Sequence, residues 1–83
     1  MKKRKLLQKI LRSQQNVRFS EVVILLEAFG FKLSRISASH HIFVHSEISE
    51  NINLQNVDGQ AKSYQIRQFL KLVERYNLTL EDE

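Results

Sequence analysis

The segment that decides the fold lies at the centre of the chain, where residues 31–45 read FKLSRISASHHIFVH. Apolar and polar residues alternate over Phe31–Ile36, and a second run of strand-forming residues, rich in β-branched and aromatic types, occupies His40–His45. A period of two is typical of half-buried strands, and a short polar connection between two such runs indicates an antiparallel hairpin. We therefore predict two paired strands that are joined by a turn at residues 37–39.

The sequence after the hairpin predicts one more strand and a helix. Residues 46–50 are interpreted as a polar turn, residues 51–55 as a third strand, and residues 56–62 as a loop around an Asp-Gly turn. Apolar residues then recur every three to four positions over residues 63–76, which predicts a helix. Asn77 is expected to end this helix in the left-handed conformation.

Two helices are predicted before the hairpin. Residues 2–13 form an amphipathic helix whose aliphatic stripe is expected to dock on the body while its opposite face is cationic. Residues 20–29 form the second, with Ser20 as the expected N-cap and Gly30 as the left-handed residue beyond its end. The body is therefore predicted to be α+β, with the order α-β-β-β-α and a three-stranded antiparallel sheet covered on one face by two helices.

Length and composition restrict the class of protein. A chain of 83 residues allows one small domain, and the absence of cysteine excludes a disulfide framework, a thiolate nucleophile and a cysteine-based zinc site. The longest apolar run is residues 22–26, whereas a membrane-spanning helix needs about 20 residues. We therefore expect a cytoplasmic protein that is neither exported nor embedded in a membrane.

The net charge of +4 is unevenly distributed. Residues 1–18 carry only positive charges, residues 19–80 carry equal numbers of acidic and basic side chains, and the last three residues are all acidic. We accordingly divide the chain into a basic helical arm (1–16), a body (17–80) and an acidic frayed tail (81–83). The arm is expected either to neutralise nucleic-acid phosphates or to form a solvated helix face.

All three histidines fall within six residues, at His40, His41 and His45. Histidine exchanges protons near neutral pH, so this cluster is the main candidate for acid–base catalysis. Alternation along the strand places His40 with Ile42 and Val44 on one face. Because these two partners are apolar, we expect this face to be buried and His40 to point inward, unless the turn redirects it.

Three other roles compete with proton transfer at this cluster. The histidines are also compatible with ordinary cross-strand packing on a half-exposed sheet. A shared metal ion is disfavoured, because His41 and His45 would lie about 13 Å apart along a strand. Ser39 with a histidine base is a third alternative, but adjacency in sequence does not indicate a catalytic triad, since neighbours in a strand diverge.

Three segments carry a family resemblance. Residues 38–43 read ASHHIF and follow a helix, a glycine and a strand, residues 19–31 read FSEVVILLEAFGF, and residues 64–70 read YQIRQFL. Together they resemble the HicA family of toxin ribonucleases from prokaryotic toxin–antitoxin pairs, whose turn-and-strand signature is Gly-Ser-His-x-x-Phe. The resemblance covers roughly residues 17–80 and leaves the basic arm outside, and Ala38 replaces the signature glycine.

This resemblance implies a double-stranded-RNA-binding-domain-like fold, cleavage of messenger RNA and a HicB-type antitoxin that covers the active site. The catalytic histidine of the family falls on His40. It would act as general base on the ribose 2′-hydroxyl or as general acid to the leaving 5′-oxygen, without a metal or other cofactor. The accessory or RNA-binding candidates are Ser39, His41, His45, Arg35 and Lys62.

Two matters stay open on the sequence alone. A non-catalytic RNA-binding or protein-binding module on the same fold is the alternative function, and a homodimer could form through a strand edge or the stripe of the arm. Ala38 is the second matter, because an alanine forced to a positive φ costs about 1 kcal/mol or more. Either the turn has an ordinary conformation, or His40 is presented differently from the family pattern.

Overall fold

The computed structural model describes residues 3–81 and consists of three helices and a four-stranded antiparallel sheet. In chain order the elements are α1 (Lys3–Arg12), α2 (Phe19–Ala28), β1 (Lys32–Ser37), β2 (His40–His45), β3 (Ile48–Val57), β4 (Gln60–Ala61) and α3 (Ser63–Arg75). The strands lie side by side in the order β1-β2-β3-β4. The predicted α+β fold of the double-stranded-RNA-binding type is confirmed, with one short strand more than expected. Lys2, Asp82 and Glu83, which were assigned to the first helix and to the acidic tail, lie outside the described residues.

The sheet is longer than the sequence pattern indicated. Only Ser46 and Glu47 separate β2 from β3, so the predicted polar turn is present but shorter than the expected residues 46–50. The segment predicted as a loop contains β4, which pairs with the end of β3. β4 also forms a hydrogen bond to the segment before α2, in which the Ala61 N–H donates to the Val17 carbonyl at 3.0 Å. These pairings join residues that are distant in sequence, and the periodicity of apolar residues along the chain does not predict such pairings.

The helices cover the face of the sheet opposite to the one expected. Phe43 is 1% exposed and belongs to the core, so the alternate residues His41 and His45 face the helices. Ile42 is half-buried and lies with His40 on the face that the helices leave open. The prediction of an inward His40 was wrong because the large aromatic side chain determines which face packs.

α1 is docked on the body, as its aliphatic stripe predicted. Leu6 and Ile10 are 1% and 0% exposed and belong to the same core cluster as the side chains of α2, α3 and the sheet. Lys9 forms an ion pair with Glu21 at the start of α2, at 3.1 Å. The basic helix therefore lies on the helical side of the sheet, away from the open face.

The N-cap of α2 is Arg18, two residues before the predicted Ser20. The Glu21 carboxylate accepts a hydrogen bond from the Arg18 N–H at 3.3 Å, as the third residue of a helix does in a capping box. The helix consequently begins at Phe19, and Ser20 is its second residue rather than its N-cap.

The ends of α2 and α3 were predicted correctly. α2 is followed by Gly30 with a φ of 96°, and the N–H of Phe31 donates back to the Leu26 carbonyl at 3.0 Å. α3 ends in the same manner before Asn77, whose φ is 53°. Both are Schellman endings, which satisfy carbonyl groups that a helix end leaves without partners.

No helix between residues 3 and 81 combines the length and the apolar composition needed to cross a membrane.

Candidate active site

The site is built on the hairpin turn between β1 and β2. Ser37 pairs with His40, which leaves Ala38 and Ser39 as the two turn residues. Ala38 has a φ of 55°, and a positive φ at the first central residue is what turns that match the twist of a hairpin require. Alanine thus occupies the conformation for which glycine is suited, and the first of the two open alternatives, an ordinary turn, was wrong.

His40 is the first residue of β2 and lies on the open face of the sheet. Its neighbours across the ladder are Ser37 on β1 and Gln55 on β3. The ring is half-buried, and its Nδ1 lies 3.1 Å from Oδ1 of Asn53. Within residues 3–81 its Nε2 has no hydrogen-bond partner. His40 is therefore held by one ring nitrogen while the other is available to a ligand.

Arg35 lies on the same open face, one row of side chains away. It pairs with Ile42, which is two residues after His40 on β2, and its own side chain is exposed. Diagonal neighbours on one face of a sheet lie about 7–8 Å apart, which is within reach of a long side chain. The hairpin register thus brings a cation close to the imidazole.

His41 follows His40 directly but faces the helices. Its ring packs on Phe19, with a centroid distance of 4.6 Å, and its Nδ1 lies 3.2 Å from the Ser39 carbonyl. That carbonyl also accepts from the Asn56 N–H at 3.0 Å. Ser39 therefore contributes its backbone to the turn, and His41 lies on the opposite side of the strand from the site of His40.

His45 lies at the far end of β2, about 16 Å from His40 by the rise of a strand. Its Nε2 is 3.0 Å from the Phe29 carbonyl, and its Nδ1 accepts from the Glu47 N–H at 3.1 Å. Both ring nitrogens are engaged, and the ring packs on Phe31 at 5.0 Å between centroids. The structure does not bring His45 to His40, and its contacts attach β2 to the end of α2. Among residues 3–81, no three side chains of the metal-binding types come together.

Lys62 precedes α3 at the same end of the sheet as His40. The first turn of α3 is attached to β3 by Gln65, a polar side chain that is 2% exposed and whose Oε1 accepts from the Gln55 N–H at 2.7 Å. Gln55 is the cross-strand partner of His40, so this hydrogen bond fixes the start of α3 next to the strand pair that carries His40. Lys62 itself is exposed.

Sequence reasoning missed two side chains of this site, Asn53 and Gln65. Asn53 lies 13 residues from His40 in the chain and contacts it because β3 pairs with β2. The only signal was its place in a run of alternating polar and apolar residues, which indicates a face but not a partner. Gln65 lay within the predicted last helix and was given no role, since nothing in the neighbouring sequence distinguishes a buried glutamine.

A separate cluster lies at the other end of β3. Glu50 accepts hydrogen bonds from Arg75, at 3.0 Å, and from the Tyr76 hydroxyl. The hydrogen bond to Glu50 is the main cause that raises the pKa of the Tyr76 phenol above its ordinary value of 10.0. This cluster attaches the end of α3 to the sheet and does not contact His40.

The fold and the site together define a small α+β domain of the double-stranded-RNA-binding type, with a histidine and an arginine on the open face of its sheet. A family model described as "HicA toxin of bacterial toxin-antitoxin" matches residues 19–74, from the start of α2 almost to the end of α3. The chain belongs to the HicA toxin family, and the resemblance seen in the sequence is confirmed. Comparison with curated proteins and with solved structures gives no match.

Family membership makes this chain a toxin of a toxin–antitoxin system, with an antitoxin partner and an RNA target. The matched residues include the whole β1–β2 hairpin and His40. α1 precedes the match, although it shares the core with the matched part.

Proposed function

We propose that this protein is a toxin endoribonuclease that cleaves messenger RNA in the cytoplasm, with His40 as the catalytic residue. The observation that carries the proposal is the placement of His40 on the open face of the sheet, with Nε2 unoccupied and Arg35 one row away, in a chain of the HicA family. An imidazole is suited to proton transfer near neutral pH, and a guanidinium is suited to hold a phosphate.

The reaction we propose is an internal transesterification of RNA. The imidazole of His40 takes the proton of a ribose 2′-hydroxyl, the 2′-oxygen forms a bond to the adjacent phosphorus, and the bond from phosphorus to the 5′-oxygen breaks. The leaving 5′-oxygen takes a proton from a second group or from water, so the products carry a 2′,3′-cyclic phosphate and a 5′-hydroxyl. DNA lacks the internal nucleophile and would not react. The groups that this step uses are protein side chains, the substrate and, where no second side chain protonates the leaving oxygen, water.

Lys62 is the best placed of the candidates for the second proton-transfer group. His41 lies on the helix side of β2, and both ring nitrogens of His45 are already bound at the other end of the strand. Lys62 is exposed at the same end of the sheet as His40. Ser39 would contribute through its backbone at the turn, and Arg35 would stabilise charge on the phosphate.

A HicB-type antitoxin would stop this reaction by covering the open face around His40. β1, beside this face, is an edge strand of the sheet. Leu33 and Ile36 on β1 are 45% and 57% exposed, and their pairing with Phe43 and His41 places them on the helix side of this edge. An apolar strand edge of this kind is suited to a protein contact, with the antitoxin or with a second copy of the chain. Growth arrest on expression of the toxin, relieved by the product of the adjacent gene, tests the antitoxin partner. Size-exclusion chromatography of the free toxin tests the homodimer.

The activity is tested with purified protein and RNA in excess chelator. Wild-type protein is expected to cut the RNA, and His40→Ala is expected to lower the rate by about 100-fold or more, since positioned acid–base catalysis contributes about 10²–10⁴. The circular dichroism of the variant should match wild type, because His40 lies at the surface of the sheet. Salt-sensitive binding without strand scission at any pH from 5 to 9 would instead indicate the non-catalytic module.

A further inference from the structure

We propose that Asn53 is the positioning residue of His40: its carboxamide holds the imidazole in one tautomer and orientation, which assigns His40 as the general base. The inference rests on the proposed function, in which His40 takes the 2′-hydroxyl proton, and it names the residue that prepares His40 for that step. It starts from the 3.1 Å contact between His40 Nδ1 and Asn53 Oδ1.

The chemistry of the two groups decides the tautomer. A carboxamide oxygen only accepts hydrogen bonds, so the Nδ1 that contacts Oδ1 must carry the proton. A neutral imidazole carries one N–H, and Nε2 is then a lone pair. A free lone pair on Nε2 is what a base requires for the 2′-hydroxyl proton, whereas an acid would need Nε2 protonated. The contact therefore favours the base for the first step.

The sheet fixes where that lone pair lies. Asn53 pairs with Ile42, so its side chain is on the open face and diagonal to His40. Nδ1 is directed toward Asn53, and Nε2, on the far side of the ring, is without a partner in the part of the chain that the structure describes. The contact thus orients the ring as well as its tautomer. Arg35, on the opposite flanking strand, is the charged group nearest in the ladder.

The other histidines show why this contact is distinctive. His41 Nδ1 contacts a backbone carbonyl of the turn, and His45 is bound by a backbone carbonyl and a backbone N–H. Only His40, of these three, is oriented by a side chain. A side chain can be replaced without changing the hydrogen bonds of the backbone, so its effect on His40 can be measured separately from folding.

Removal of the Asn53 side chain leaves His40 in place, so the loss of kcat should be no larger than the loss in His40→Ala. Without Asn53 the ring rotates and exchanges tautomers, so only part of the molecules present the lone pair correctly. At metal sites, loss of the group that holds the second ring nitrogen of a histidine costs about 10–100-fold, and we take this range for His40. We expect Asn53→Ala to lower kcat in this range and to leave KM within about twofold. Asn51→Ala is the matched control, because Asn51 is an exposed asparagine two residues away on the same strand and, within residues 3–81, forms no hydrogen bond to a histidine.

Asn53→Asp is the conservative rescue. Its carboxylate also accepts from Nδ1–H, so kcat at high pH should return to within about threefold of wild type. A carboxylate stabilises the protonated imidazolium, so a base in this position becomes active only at higher pH. The rising limb of the pH–rate profile should therefore move to higher pH in Asn53→Asp. A purely structural role for Asn53 would not move that limb.

The tautomer itself is measured by nitrogen-15 NMR of the histidine rings, which does not depend on activity. Wild type and Asn51→Ala should show His40 with the proton on Nδ1, and Asn53→Ala should show a mixture. A wild-type His40 with its proton on Nε2, or an Asn53→Ala variant with unchanged kcat, would overturn the inference. If wild type cuts no RNA, the proposed function fails, and the NMR result still decides whether Asn53 orients His40.

Discussion

Ala38→Gly should stabilise the fold, because Ala38 lies in the left-handed region with a φ of 55°. An L-residue with a side chain pays roughly 1–2 kcal/mol in that region, and glycine pays almost nothing. Glycine in turn makes the unfolded chain more flexible, at a cost of about 0.4–1 kcal/mol. Ala38 is exposed, so removal of its methyl group loses little packing. The difference is a gain of about 0.5–1 kcal/mol in the free energy of unfolding.

The assay is urea denaturation followed by circular dichroism, with the m-value held in common. For a domain of this size the gain corresponds to a rise of about 2–8 °C in Tm. Ala28→Gly is the matched control, because the same substitution near the end of α2 should cost about 1 kcal/mol. Asn77→Gly should change stability less than Ala38→Gly, since asparagine tolerates the left-handed region. A neutral or destabilising Ala38→Gly, with Ala28→Gly behaving as expected, would refute the turn conformation.

Three further predictions concern the contacts between the helices and the rest of the fold. Ile10→Ala should lower the free energy of unfolding by about 2–5 kcal/mol, because Ile10 is 0% exposed. Leu11→Ala should change it by less than about 0.5 kcal/mol, because Leu11 is 58% exposed. Equal effects of the two variants in urea denaturation would show that α1 is not docked. Gly30→Ala should lower the free energy of unfolding by more than about 1 kcal/mol, which is the strain of a positive φ alone. The added Cβ would also lie 2.8 Å from Nε2 of His45 at the end of β2. A variant as stable as wild type in thermal denaturation would contradict this contact. Glu50→Gln should lower the pKa of the Tyr76 phenol toward 10.0 in an ultraviolet titration, and an unchanged titration would contradict the Glu50 contact. In wild type, the stability that the neutral phenol contributes should be complete below pH 10.0 and should decline as the pH rises through the raised pKa.

The local features of the fold were predictable from the sequence because they depend on neighbouring residues. Gly30 and Asn77 end their helices as expected, since a left-handed residue after an amphipathic helix satisfies the carbonyls of the last turn. The β1–β2 hairpin followed from alternation around a short polar segment. β4 was not predictable in this way, because its two residues form a strand only through pairing with β3 and with the chain near Val17.

The orientation of β2 and part of the site required the tertiary structure. Ile42 and Val44 indicated a buried face, but the packing of Phe43 against the helices reversed it and left His40 on the open face. His40 itself was predictable from the clustered histidines and the family signature. Its partner Asn53 was not, because the contact depends on the register of β3, which no local pattern reports.

In the proposed reaction, His40 removes the proton of a ribose 2′-hydroxyl. End-group analysis of a short RNA cleaved in chelator, beside the same RNA with a single 2′-deoxy sugar at the cleavage site, tests this step. We expect a 2′,3′-cyclic phosphate and a 5′-hydroxyl from the first RNA, no cut at the deoxy position, and product formation slowed by about 100-fold or more with His40→Ala. A cut at the deoxy position, or a 5′-phosphate product, would contradict it.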